Sequence, residues 1–99
     1  MLDLKKKNAL ITGSSRGVGQ QIALGLANMD CHIIVHGRTK ESCTKTLELL
    51  DEYPVNTYCV TGELSDEEQV NHLIKQVQDL AINVDILYNN AAIDHNMDI

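Results

Sequence analysis

The sequence predicts an α/β fold: a four-stranded parallel sheet in the order 3-2-1-4, covered by three crossover helices. Three observations carry this. Short apolar runs alternate with longer segments of helical periodicity. The helical segments open on a glycine-rich turn or on residues able to cap a helix. The apolar runs are near-continuous, as suits strands covered on both faces.

The first strand is Asn8-Ala9-Leu10-Ile11-Thr12, which runs into a glycine-rich turn. From Val18 to about Met29, the residues Val18, Ile22, Ala23, Leu26 and Met29 recur at helical spacing. Cys31 to His36 is β-branched at its centre and bounded by Asp30 and Gly37, giving strand two. Thr39 can cap a second helix, with Cys43, Leu47 and Leu50 on one face, and Pro54 stops anything helical there. Val55 to Thr61, rich in Val, Thr and Tyr, is strand three. Ser65 with Glu68 forms a Ser-x-x-Glu capping box for a third helix. Its stripe is Val70, Leu73, Ile74, Val77 and Leu80. Asp85 to Asn89 is strand four, and the polar stretch from Asn90 to Ile99 adds no further element.

Right-handed crossovers place helices one and two on one face and helix three on the other. The second face is then covered by one helix only, and strand four is an open edge. Exposed apolar area beside an open edge predicts self-association through the uncovered sheet face.

Ninety-nine residues allow one small domain, with no internal repeat or linker. Fourteen acids against eight bases give a net charge of −6, and only Lys5-Lys6-Lys7 cluster, so no basic nucleic-acid footprint is present. No apolar run approaches the ~20 residues of a membrane span. The N-terminus lacks the charged-then-apolar order of a secretory signal. Cys31, Cys43 and Cys59 have no Cys-x-x-Cys spacing and read as reduced thiols of a cytoplasmic protein, two of them packed as small hydrophobes. His32 and His36 share a strand face but lack the spacing of a metal-ligand set, so polar packing is expected of them.

Chemistry concentrates in Thr12-Gly13-Ser14-Ser15-Arg16-Gly17-Val18-Gly19, between the first strand and the first helix. Gly13 permits the tight turn, Gly17 lets backbone approach a phosphate, and Gly19 lets the helix pack close to the sheet. The helix N-terminus then offers N–H groups and the positive dipole end to a diphosphate. No Lys-Ser or Lys-Thr follows the glycines, which excludes a kinase-type phosphate loop. An NAD site usually carries an acid about 20 residues further on to hold the ribose 2′-hydroxyl. Here that region reads Val35-His36-Gly37-Arg38-Thr39, without an acid. Arg38 can reach a 2′-phosphate, and Arg16 can approach from the glycine turn. NADP(H) is therefore favoured over NAD(H).

Thr12 to Gly19, His36-Gly37-Arg38, Glu63-Leu64 and Asn89-Asn90-Ala91 together resemble the short-chain dehydrogenase/reductase family, in its 3-oxoacyl carrier-protein reductase-like branch. The resemblance spans essentially the whole chain and implies the N-terminal half of a Rossmann fold. It implies that Thr12 and Asn90 brace the sheet around the turn. Gly13, Ser15, Arg16, Gly17, Val18 and Gly19 would line the diphosphate and adenosine side. Arg38 would face the 2′-phosphate, Glu63 and Leu64 would flank adenine, and Asn89 and Ala91 would contact the ribose. Glu63 stands where the family has Asp, and Ala92 where its Asn-Asn-Ala-Gly motif ends in Gly.

The family reduces carbonyls with a Ser and a Tyr-x-x-x-Lys pair, in which Tyr donates a proton to the forming alkoxide. Four residues after Tyr53, Tyr58 and Tyr88 stand Thr57, Gly62 and Ala92, so no such pair is present. The expectation is a dinucleotide-binding half over residues 1–99, with the catalytic half beyond it. Two classes follow: the NADP(H)-binding portion of a hydride-transferring oxidoreductase, or a non-catalytic nucleotide-binding or oligomerising module.

Overall fold

The computed structural model describes residues 3–90. The chain runs β1 (Asn8–Thr12), α1 (Gly17–Ala27), β2 (His32–Gly37), α2 (Lys40–Leu50), β3 (Thr57–Thr61), α3 (Glu67–Asp79) and β4 (Ile86–Asn89). The four strands form one parallel sheet in the order β3-β2-β1-β4. This is the topology expected from the sequence.

Strand alternation splits the core in two. Ala9, Ile11, Ile33 and Val35 point to one face and pack with Ala23, Ala27, Cys43 and Leu50 of α1 and α2, all fully buried. Leu10, Ile34 and Val60 point to the other face and meet Leu73 of α3. Each large aliphatic side chain so buried contributes roughly 1.5–3 kcal/mol. Register fixes these assignments, because Leu10 pairs with both Ile34 and Leu87 and a one-residue slip would exchange the faces.

The edges are secured by side chains. The Asp85 carboxylate accepts the Asn8 N–H at 2.8 Å, while the Asp85 N–H donates to the Asn8 carbonyl at 2.9 Å, docking β4 onto β1. On the opposite edge, the Gln76 amide donates to the Thr61 carbonyl at 2.7 Å and accepts the Thr61 N–H at 3.0 Å. A side-chain amide thus takes the place of a missing neighbouring strand and ties α3 to β3.

Several element ends differ from the sequence expectation. Asp66, not Ser65, caps α3: its Oδ1 accepts the N–H groups of Glu68 at 2.9 Å and Gln69 at 3.4 Å. Both residues carry an acceptor oxygen, and the carboxylate also complements the helix dipole. α1 stops at Ala27 because the chain tightens, with Met29 N–H bonding Leu26 C=O, and then takes a left-handed turn at Asp30 (φ 68°). Met29 is therefore outside the helix, and Val18 and Met29 are exposed rather than part of its buried stripe. β2 starts at His32 rather than Cys31 and extends to Gly37. β3 begins at Thr57, since Val55 is held in a tight turn by the Tyr53 carbonyl. β4 begins at Ile86, Asp85 being spent on the clamp to Asn8.

Candidate functional site

The sheet order is set so that β1 and β4 run side by side while the chain leaves β1 toward β2. At the carboxyl ends of these strands lies an open groove of about 1590 Å³. Ligands in open α/β sheets bind at such a position, where the strand order reverses.

The glycine-rich turn forms one wall and has two sides with different tasks. Its inner side is buried and hydrogen-bonded. Ser14 is fully buried; its N–H donates to the His36 carbonyl at 3.0 Å, and its Oγ accepts the His36 N–H at 3.0 Å. Thr46 of α2, also fully buried, donates its hydroxyl to the Ser14 carbonyl at 2.8 Å. Gln20 of α1 donates to that hydroxyl at 2.9 Å. The Gly13 N–H donates to Nδ1 of His36 at 2.9 Å. Buried polar groups left unpaired would each cost about 1–3 kcal/mol, so this network fixes the turn in one conformation.

The outer side faces the groove. Gly17 has φ +60°, in the left-handed region that favours glycine, and a Cβ built there meets no atom within 4 Å. The backbone is therefore bare toward the groove. α1 carries no side-chain cap and no acid in its first turn. α2 and α3 have both: Thr39 with Glu41, and Asp66 with Glu67 and Glu68. No side chain caps the N–H groups that open α1, and a helix start of this kind can receive an anion such as a diphosphate.

Gly13, Ser15, Arg16, Gly17 and Val18 all border the groove. Gly19 does not: it is buried beneath the turn, and a Cβ there would collide with the Gly13 carbonyl and lie 2.9 Å from the Asn90 amide nitrogen. Its space is needed for packing against the turn and the end of β4 rather than against the sheet. Asn90 donates to the Gly13 carbonyl at 3.3 Å, and the Thr12 hydroxyl donates to Oδ1 of Asn89 at 3.0 Å. These bonds are the bracing that the family resemblance implies. Asn89 and Asn90 also border the groove, whereas Ala91 lies outside the described residues.

Arg38, Glu63 and Leu64 border the far corner of the groove. The first two are expected to contact different parts of a ligand, yet they are paired with each other: Arg38 Nε lies 3.1 Å from Glu63 Oε2. The Arg38 side chain is 78% exposed, and such pairs contribute at most about 1 kcal/mol. A ligand phosphate at this corner would therefore compete with a weak contact. Ser42 also borders the corner, a residue the sequence reading omits; its hydroxyl is engaged in the capping box with Thr39.

The remaining candidates are structural. Cys31 and Cys43 are fully buried and Cys59 partly so. Burial, reinforced by a hydrogen bond to Cys59, pushes the Cys43 thiol up to about 12, so it stays protonated and is no nucleophile. His32 Nδ1 accepts the Asn56 N–H at 2.9 Å. Burial is the main influence on the His36 imidazole and lowers its pKa, with Gly62 and Glu63 opposing. An unfolded chain then takes up a proton near pH 6.5 that folded His36 refuses, so stability falls as pH drops below that value. Among the described residues no trio of His, Cys, Asp or Glu is placed to hold a metal, and no helix is long and apolar enough to cross a membrane.

Comparison with known proteins agrees with this geometry. The chain is 34% identical over 93 residues to the 3-oxoacyl-(acyl-carrier-protein) reductase FabG of Aquifex aeolicus, covering 93% of this chain and 38% of that protein. It is 37% identical over 94 residues to the L-rhamnose 1-dehydrogenase (NADP(+)) of Thermoplasma acidophilum, covering 94% and 37%. The chain thus spans little more than a third of the length of these relatives. Among solved structures, the NADP active-site complex of Pseudomonas aeruginosa RhlG matches with a TM-score of 0.81 and 34% identity, covering 89% of this chain and 35% of that one. The L-sorbose reductase of Gluconobacter frateurii, complexed with NADPH and L-sorbose, matches with a TM-score of 0.77 and 29% identity, covering 87% and 34%. The family model described as short chain dehydrogenase matches residues 7–99, and the chain belongs to that family of oxidoreductases.

Proposed function

We propose that residues 1–99 are the dinucleotide-binding half of a short-chain oxidoreductase that transfers hydride between NADP(H) and a carbonyl or alcohol substrate. The observation that carries this is the glycine turn: its inner side is locked by buried hydrogen bonds, and its outer side opens bare backbone and an uncapped helix onto the groove. Gly13, Ser15, Arg16, Gly17 and Val18 would hold the diphosphate side, with Gly19 keeping the turn in shape. Arg38 would take the 2′-phosphate, releasing Glu63 toward adenine beside Leu64. Asn89 and Ala91 would contact the ribose. NADP(H) is favoured over NAD(H) because a guanidinium, and no acid, follows β2. The relatives whose names include NADP support the same choice.

The sequence holds no Tyr-x-x-x-Lys, so this half supplies cofactor binding and not the proton transfer to the substrate. Free thiols fit a cytoplasmic setting. Exposed Leu87, Val84 and Ile74 support self-association through the uncovered sheet face.

Titration with NADP⁺ and NAD⁺ tests the reading. The protein should bind NADP⁺ more tightly, and Arg38→Asp should weaken NADP⁺ roughly 10-fold or more while leaving NAD⁺ little changed. Equal affinity for the two, or a preference that survives Arg38→Asp, refutes the assignment of Arg38. A non-catalytic nucleotide-binding or oligomerising module is distinguished by the full-length protein failing to oxidise or reduce either cofactor with any carbonyl or alcohol.

A further inference from the structure

The geometry points to His36 as a positioning residue that holds the glycine turn in its binding conformation only while its ring is neutral. The inference rests on the dinucleotide-binding reading above. His36 is 3% exposed at the end of β2, on the α3 side of the sheet, and its ring bridges two chain segments. Nδ1 lies 2.9 Å from the Gly13 nitrogen, and Nε2 lies 2.9 Å from the Gly62 carbonyl oxygen. Gly13 N–H can only donate, so Nδ1 must be the bare nitrogen. The Gly62 carbonyl can only accept, so Nε2 must carry the hydrogen. The two backbone groups together specify one tautomer.

Protonation puts a hydrogen on Nδ1. Two N–H groups then face each other at the first residue of the turn, and the Gly13 N–H loses its acceptor inside a buried site. The carbonyl of the same residue is held by Asn90, and the next residue is held by the His36 backbone and Thr46. Gly13 is thus the point where one proton reaches the phosphate-facing backbone. Burial opposes that proton, while Glu63 after β3 favours it. The other charged groups bordering the groove here are Arg38, which pairs with Glu63, and Arg16 on the turn. Lys40 and Glu41 opening α2, and Asp66, Glu67 and Glu68 opening α3, lie at the same end of the sheet. Releasing Glu63 from Arg38 would strengthen its pull on the proton, so the ring senses the state of the corner as well as bulk pH.

Two measurements test this. Long-range ¹⁵N–¹H correlation spectra should show His36 as the Nε2–H tautomer near neutral pH, with the Gly13 amide shifting along the ring's own titration curve. An Nδ1–H tautomer, or a Gly13 amide indifferent to that titration, overturns the inference without any ligand present. NADP⁺ affinity should then be followed from about pH 8 to about pH 5 in the intact protein and in His36→Asn. Asn can offer Oδ1 near the position of Nδ1 and does not titrate. Affinity of the unaltered protein should fall about 10-fold further toward acid than that of the variant, the difference cancelling titration of the ligand's own phosphate. Parallel profiles overturn the inference. Absence of NADP⁺ binding at every pH refutes the dinucleotide reading instead, and the spectra then decide the ring's role alone.

Discussion

The two faces of the sheet are built from the same strands yet end in different states. On the α1–α2 face, Ile11, Ile33 and Val35 are fully buried against two helices. On the α3 face, Leu10 and Leu73 are nearly buried, but Leu87 is 63% exposed although it pairs in register with Leu10. Val84 and Ile74 beside it are also exposed. The apolar content of a strand does not decide its burial. The helices that return over each face within these residues do, and the handedness of the crossovers fixes which face each helix covers.

The contrast sets the order of expected effects. Ile11→Ala should cost about 3–4 kcal/mol in urea unfolding, because its site is closed on all sides and cannot collapse. A loss below about 1 kcal/mol would mean that the covered face is loosely packed. Asp66→Ala removes the acceptor for two N–H groups of α3 and should cost about 1 kcal/mol. Ser65→Ala should be nearly silent, and a larger effect there would reinstate Ser65 as the cap. Leu87→Ser should change stability by less than about 0.5 kcal/mol. It should reduce self-association seen by light scattering. A protein that is monomeric before and after the change contradicts association through this face.

The fold was legible because each element carries its own periodicity and the crossover rule has few solutions. The glycine turn was legible because its spacing between strand and helix has one physical use. Element ends were less so. Ser65 and Asp66 both offer a cap oxygen, and only the backbone path chooses between them. Val18 has a helical residue's spacing but sits in the first turn of α1, where it borders the groove and stays exposed. The Arg38–Glu63 pair joins residues far apart in sequence, brought together where Gly37 pairs with Thr61. His36 gave a partial signal, a polar residue closing a buried apolar strand. Its two partners belong to other strand exits and could not be read from its neighbours.

The central claim is that bare backbone at the start of α1, beside Arg38, receives the diphosphate and 2′-phosphate of the cofactor. Amide chemical-shift mapping during NADP⁺ titration tests it most directly. The account predicts the largest changes at Gly13 through Gly19 and at Arg38, saturating together. Changes centred instead on the exposed α3 face around Ile74 and Leu87, with the glycine turn unmoved, would contradict it.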